Sequence, residues 1–285
     1  MSIKKKYRVL LTVLACCVLL AFAGVFYYHG EWWFPMWNAM RGTSELDLVG
    51  TELAGNTRLW RFDELTAEET VTLSNNLLLI NASHPLPEGY TPDLIEYNGA
   101  QMHPLMRDPY VSLRDDVQAK TGIRIYVASD YRTPEEQAEI LASSQDGVAA
   151  EIGCSEHEAG LAFDVYAPYY GGMNFLRSRA GRTVNEICGD YGYILRYPYG
   201  KEEITGIDYE PWHLRYVGQP HAQLIMDSGL TMEEYIESFL PNTWYQSGEY
   251  LIARLPADAL LLPAEFSHCD VSPDNTGYYM ITVKI

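Results

Sequence analysis

The amino-acid sequence predicts an α+β domain behind a membrane-spanning helix, with a small β appendage at its C-terminal end. Three observations predict it. Strand-like and helix-like patterns are mixed through residues 70–240 without the regular alternation of a doubly wound sheet. Val9 to Tyr28 are 20 consecutive uncharged positions, which at about 1.5 Å per residue span a hydrocarbon core of about 30 Å. After Pro241 the pattern changes to short apolar runs separated by Pro and Asp-Asn turns.

Composition narrows the possibilities further. With 285 residues, 47% hydrophobic residues and five cysteines, the chain is neither disordered nor a disulfide scaffold. Lys4, Lys5, Lys6 and Arg8 precede the apolar stretch and the first acid is Glu31, so residues 31–285 carry 16 bases against 38 acids, a net charge of −22. Such a surface repels phosphates and excludes a nucleic-acid partner. The oligomeric state is left open.

At the N-terminus, the basic cluster should stay cytoplasmic, and Tyr27, Tyr28, Trp32, Trp33 and Trp37 suit the opposite interface as an aromatic belt. The expectation is a single-pass cell-membrane protein with an extracytoplasmic catalytic domain. Rival readings are a cleaved signal peptide with Ala21 and Ala23 at the cut, and a lipoprotein signal with Val13-Leu14-Ala15 before Cys16; both also export the chain. The exported cysteines, Cys154, Cys188 and Cys269, allow one disulfide or three buried thiols.

The expected organisation is a stub and anchor over 1–30, a stalk over 31–69, a catalytic domain over 70–240 and the β appendage over 241–285. Thr66-Ala67-Glu68-Glu69 has the form of a capping box before an apolar run and predicts a helix start. His84-Pro85-Leu86-Pro87 is a loop. A helix from about 111 to 120 ends at Gly122, and Ile123, Ile125 and Val127 alternate as a half-buried strand. Thr133-Pro134-Glu135-Glu136 combines an N-cap, a first-position proline and a capping box. Further strands are expected at 161–166, 193–197 and 212–217, and helices at about 174–190, 220–228 and 232–239.

Two segments carry the chemistry: Ser155-Glu156-His157-Glu158-Ala159-Gly160-Leu161-Ala162-Phe163-Asp164, and Glu210-Pro211-Trp212-His213-Leu214-Arg215-Tyr216. They supply two histidines, one Asp and one Glu. Two neutral imidazoles and a carboxylate make a three-ligand zinc site that leaves a fourth position open, as catalytic sites do. On a strand, Asp164 shares a face with Ala162 and Tyr166, while Leu161, Phe163 and Val165 turn toward the core. An Asp among apolar neighbours is costly to bury unless paired, and a metal would offset that cost. Gly160 allows the turn that returns His157 to Asp164. Glu210, three residues before His213, would point to the other face of a regular strand, so the backbone should be irregular at Pro211. Glu210 then reaches a water of lowered pKa without binding the ion, the arrangement for metal-assisted amide hydrolysis. His84, His103, His221 and His268 have no such company and are expected to be ordinary loop or helix residues.

Four segments together resemble a known family, the zinc D-alanyl-D-alanine carboxypeptidases of the VanY type with the related L,D-carboxypeptidases. They are Ser129-x-Tyr131-Arg132 followed by Gln137; Ser155-x-His157-x2-Gly160-x-Ala162-x-Asp164; Tyr191-Gly192-Tyr193-Ile194-Leu195-Arg196-Tyr197-Pro198; and Glu210-x-Trp212-His213-x-Arg215-Tyr216-Val217-Gly218. The likeness covers roughly 80–240. It implies a central antiparallel sheet carrying one zinc ion per chain and flanked by helices, with His157, Asp164 and His213 as ligands and Glu210 as general base and acid. It further implies that Arg132 steadies the carbonyl oxygen or the substrate carboxylate, with Gln137 and Ser155 nearby in substrate binding. The implied activity is removal of the terminal D-alanine from peptidoglycan stem peptides. Alternatives are an L,D-carboxypeptidase on tetrapeptide stems and a zinc-bearing module that binds wall peptides without cutting them. Glu158, Ala159 and Phe163 depart from the family pattern, which bears on substrate preference and leaves every ligand position intact.

Overall fold

The computed structural model describes residues 3–41, 44–144 and 149–285. Gly42 and the side chains of Lys4, Lys5 and Tyr27, placed above in the stalk, the basic cluster and the aromatic belt, lie outside the described part. Helix α1 runs Ile3–Tyr28, and its Lys6–Phe26 portion is long and apolar enough to cross a membrane. Helix α2, Gly30–Arg41, follows a break at His29, and the Trp33 indole N–H donates to the Phe26 carbonyl across the corner (2.7 Å).

The segment expected to be a stalk makes contacts with the domain it leads into. α2 buries Gly30, Phe34 and Pro35, with Glu31 3.7 Å from Arg177 and Arg41 3.8 Å from Glu186. Strands β1 (Val49–Thr51) and β2 (Thr57–Trp60), the short helix α3 (Phe62–Leu65) and β3 (Val71–Leu73) come next. The helix expected to start at Thr66 does not form. Its polar start is a turn, and the β-branched Val71-Thr72 pair in parallel with a C-terminal strand, so tertiary pairing overrides the local capping pattern.

The hairpin β4 (Ile95–Tyr97) and β5 (Ala100–Met102) leads into α4, Pro104–Thr121. Here the His103 ring accepts from the Leu105 N–H, Pro104 opens the helix and Gly122 closes it at φ 76°. Strand β6 (Tyr126–Ser129) precedes α5 (Pro134–Ser143), which begins with the expected capping box between Thr133 and Glu136. Then come β7 (Ala162–Tyr166), a 3-10 turn over Gly172–Arg177, α6 (Arg179–Ile187), β8 (Tyr193–Leu195), the short α7 (Glu202–Thr205) and β9 (His213–Tyr216). Helices α8 (His221–Ser228) and α9 (Met232–Glu237) close this part. β10 (Trp244–Ser247), β11 (Tyr250–Leu255), β12 (Leu260–Pro263), β13 (His268–Pro273) and β14 (Tyr279–Lys284) end the chain.

The central sheet is antiparallel in the order β6-β7-β9-β8. Its inner face, with Phe163, Val165, Leu214 and Tyr193, packs on Met106, Tyr110, Leu113 and Val117 of α4 and Val184 of α6. Each such side chain stabilises the fold by about 1.5–3 kcal/mol relative to exposure. The other face carries Asp164 and the polar residues described below.

The C-terminal strands are not a separate appendage. Four of them form a six-stranded sheet with β1 and β3 in the order β1-β10-β11-β14-β13-β3, and β12 pairs with β2 in a separate two-stranded sheet. A second core joins this sheet to the central domain through Ile194, Val217, Ile225, Tyr235, Ile252 and Met280. Among the described residues all five cysteines are free thiols, and Cys154, Cys188 and Cys269 are buried.

Candidate metal centre

Sheet register brings the first two residues together. Asp164 on β7 lies directly opposite His213 on β9, so their side chains leave the same face as a cross-strand pair. One carboxylate oxygen of Asp164 is 3.2 Å from His213 Nδ1. His157 arrives through a tight turn, in which the N–H groups of Glu158, Ala159 and Gly160 donate to the carbonyls of Ser155, Glu156 and His157. Gly160 closes the turn at φ 68°, where an added Cβ would stand 2.7 Å from Leu94. The sequence expectation of a glycine turn, and of Phe163 and Val165 facing the core, agrees with this arrangement.

The imidazole tautomers follow from their partners. His157 Nδ1 is 2.7 Å from the Asp130 carbonyl, which can only accept, so Nδ1 carries the hydrogen and Nε2 offers its lone pair toward Asp164, 3.6 Å away. His213 has Nε2 3.5 Å from a Glu156 carboxylate oxygen, which leaves Nδ1 facing Asp164. One ligand atom from each of His157, Asp164 and His213 lies within 4.8 Å of the others.

Three features fit a divalent cation at this triangle. The donor set is that of catalytic zinc. The Asp164 oxygen nearest both rings is buried and has no hydrogen-bond partner among the described residues. The local field also favours positive charge: burial works against a charged His213, yet Asp164 and Glu156 outweigh it and raise its pKa to about 9. Burial lowers His157 despite Asp164, and the Asp164 carboxyl, although burial opposes ionisation, is held below its usual range by the two histidines.

Glu210 stands beside the triangle but outside it, its carboxylate 3.7 Å from His213 Nδ1. The irregular backbone expected at Pro211 is present: the His213 N–H donates to the Glu210 carbonyl, and β9 begins only at His213. The buried Asn185 amide of α6 holds this turn through the Pro211 carbonyl (2.7 Å). Burial raises the pKa of Glu210, partly offset by His213.

Arg132, Gln137 and Ser155 line the same cavity of about 220 Å³ as the two histidines, Asp164 and Glu210. The Arg132 backbone N–H donates to the His157 carbonyl, and its guanidinium donates to Gln137 Oε1 (2.7 Å) and Ser129 Oγ (3.2 Å). Gln137 Nε2 in turn donates to the Ala150 carbonyl (2.6 Å). Gln137 thus meets Arg132 through Oε1 alone, while its Nε2 anchors the amide to the Ala150 carbonyl.

Sequence reasoning missed the support beneath the site. Glu156, Arg196 and Arg215 are buried almost completely, and one Glu156 oxygen accepts from Arg196 Nε (2.6 Å) and Arg215 Nη1 (2.8 Å). Burial opposes the Glu156 charge, but the two guanidiniums hold its carboxyl below the usual range. The available signal was an arginine inside each apolar run, Ile194 to Tyr197 and His213 to Tyr216, which demands a buried acid. Tyr197, also unassigned, packs with its ring tilted against that of His213, centroids 4.9 Å apart, and lines the cavity. The departures at Glu158, Ala159 and Phe163 lie outside the cavity lining: the Glu158 carboxylate accepts from the Gly153 N–H, and the other two are core residues. His221 is no ordinary helix residue, since it is buried between the Tyr235 and Thr282 hydroxyls.

Comparison with known proteins follows the same lines. The family model described as VanY, D-alanyl-D-alanine carboxypeptidase, matches residues 99–219. A bifunctional D-Ala-D-Ala dipeptidase and D-Ala-D-Ala carboxypeptidase, VanXYC of Enterococcus gallinarum, is 38% identical over 182 residues, covering 56% of this chain and 93% of that protein. The solved structure of a vancomycin-resistance D,D-pentapeptidase VanY variant in complex with Zn(II) is 34% identical with a TM-score of 0.50, covering 56% of this chain and 98% of the other. The LdcB LD-carboxypeptidase, solved to reveal peptidoglycan recognition, is 28% identical with a TM-score of 0.53, covering 68% and 96%.

Proposed function

Because the chain belongs to the VanY family of D-alanyl-D-alanine carboxypeptidases, we propose that it is a zinc-dependent carboxypeptidase that removes the terminal D-alanine from peptidoglycan stem peptides. The observation that carries this reading is the triangle of His157, Asp164 and His213 with Glu210 beside it and outside the ligand set. A pure binding module has no use for that fourth group.

In this reading His157 Nε2, His213 Nδ1 and an Asp164 oxygen hold one zinc ion per chain. Bound there, zinc supplies Lewis acidity toward the scissile carbonyl and lowers the pKa of an attacking water. Glu210 accepts the proton from that water as the new C–O bond forms, and returns it to the leaving amine as the C–N bond breaks. Its raised pKa suits both halves of the exchange. Arg132, aimed by Gln137 and Ser129, meets the carbonyl oxygen or the terminal carboxylate with a charge-assisted hydrogen bond. Ser155 borders the bound peptide. Helix α1 anchors the enzyme in the cell membrane with the catalytic domain outside.

The likeness to the LdcB LD-carboxypeptidase supports a second reading, cleavage of tetrapeptide stems by the same residues. Incubating the zinc-loaded full chain with defined tetra- and pentapeptide stems and weighing the products separates the two. Loss of one alanine from the pentapeptide alone is expected. Loss from the tetrapeptide alone favours the second reading, and zinc content with no product from either stem favours a binding module.

A further inference from the structure

A second cleft, of about 550 Å³, opens over the free edge of β6, beside the metal centre. Asp130 joins the two: its carbonyl holds His157, and the residue lines the cleft. So does β7, on which Asp164 and Tyr166 share a face two residues apart, about 7 Å along the strand. Asp164 belongs to the catalytic cavity and Tyr166 to the cleft. Tyr126 lies opposite Tyr166 in register, with their rings 5.6 Å apart.

The charge of this cleft is opposite to that of the exported chain. Arg114 and Arg124 line it in a protein whose residues 31–285 carry −22. Arg114 is satisfied, with its guanidinium on the Tyr97 hydroxyl and Asp115. Arg124 is different. Among the described residues it has no ion pair or hydrogen bond from its side chain, and its guanidinium sits 5.9 Å from the Tyr126 ring centroid. Asp130, the one carboxyl among the described residues of the lining, accepts the Gln101 backbone N–H. β6 is the edge strand of the central sheet, and Val127 and Ala128 line the cleft at a bulge in its pairing with β7. An edge of this kind presents backbone groups to an extended peptide.

We infer that the β6 cleft is a second substrate subsite, which takes an extended, carboxylate-bearing segment of the stem peptide upstream of the cleaved bond, with Arg124 as the partner of that carboxylate. The inference rests on the carboxypeptidase reading and adds to it a source of preference for long anionic stems over short neutral peptides. Tyr126 and Tyr166 supply the flanking aromatic surface, and the β6 edge fixes the direction of the chain.

The test compares three substrates of the zinc-loaded full chain: a pentapeptide stem with a free carboxylate on its second residue, the same stem with that group as a carboxamide, and an acetyl-capped tripeptide ending in D-Ala-D-Ala. The wild-type kcat/KM is expected to favour the carboxylate stem over the carboxamide by about tenfold, mainly through KM. In Arg124→Gln that preference should disappear. A variant that keeps the wild-type preference, or a wild type that shows none, overturns the inference. If no stem is hydrolysed, the carboxypeptidase reading fails by itself, and calorimetric binding of the two stems decides the cleft. Tighter binding of the carboxylate stem that is lost in Arg124→Gln supports the cleft, and equal binding of both overturns it.

Discussion

Glu156 divides its two oxygens between different tasks. One accepts from Arg196 and Arg215, and the other faces His213 Nε2 at 3.5 Å. Two buried guanidiniums keep the carboxylate ionised and fixed beside Nε2, which leaves His213 Nδ1 facing the cavity and Asp164. Partners of this kind set ring orientation and ligand basicity at metal centres.

Glu156→Gln is therefore expected to weaken zinc binding by about 10- to 100-fold, as measured by competition with a chromophoric chelator. The melting temperature should also fall, because buried Arg215 loses its acidic partner while Arg196 keeps Glu233 (2.6 Å), a change that costs about 3–5 kcal/mol when a buried pair is broken. Unchanged zinc affinity would separate Glu156 from the metal and leave it a core counter-ion only.

Glu210→Gln should bind zinc within a few-fold of wild type and lose about 10²–10⁴-fold in kcat. Metal analysis of the purified protein alongside stem-peptide turnover reads both quantities. Normal turnover would remove Glu210 from the chemistry, and loss of zinc would make it a ligand.

Gly160→Ala tests the turn that returns His157 to Asp164. At φ 68° a Cβ is strained, and it would stand 2.7 Å from Leu94 Cδ2. A loss of about 1–3 kcal/mol in stability is expected, together with weaker zinc binding, by thermal unfolding and chelator competition. Gly122→Ala has the strain, at φ 76°, with no atom within 4 Å of the new Cβ. It should lose stability without losing zinc.

Asp270 sets a pH dependence far from the metal. Burial raises its carboxyl to about 6, although the Ser74 hydroxyl donates to it at 2.8 Å. The folded chain thus holds a proton that the unfolded chain has released, and stability falls as pH rises from about 4 to about 6. Asp270→Asn keeps the acceptor for Ser74 and removes the charge. It is expected to raise stability at pH 7.5 by on the order of 2 kcal/mol, with the gain vanishing near pH 4. Unfolding scans at both pH values check this, and an equal gain at both would exclude ionisation as its cause.

Anchor and signal readings predict different masses. If α1 is retained, protein extracted from membranes weighs as the full chain and stays in the pellet after alkaline washing. Cleavage after Ala23 would give a chain that begins at Gly24 and washes free. The ion pairs of α2 with Arg177 and Glu186 lie beyond the cleavage point and are present in either case.

Local patterns could be read directly wherever neighbouring residues decide the outcome. The α4 end at Gly122, the Thr133–Glu136 capping box and the alternation of Phe163 and Val165 around Asp164 are governed by sterics and hydrogen bonds within a few residues. The same holds for the break at Pro211. The expected helix after Thr66 failed because Val71 to Leu73 pair with β13, about 200 residues away in sequence.

The sequence by itself determined that two histidines, an Asp and a Glu gather in two short segments, and that an apolar stretch precedes an acidic remainder of the chain. Only the tertiary structure decided the rest: Asp164 opposite His213, the Glu156 pairing with Arg196 and Arg215, the strands at 49–51 and 71–73 that complete the C-terminal sheet, and the place of Arg124 in the β6 cleft. The physical reason is range. Backbone preference and capping act over a few residues, whereas strand register and the burial of charge are settled between segments that meet only when the whole chain has packed.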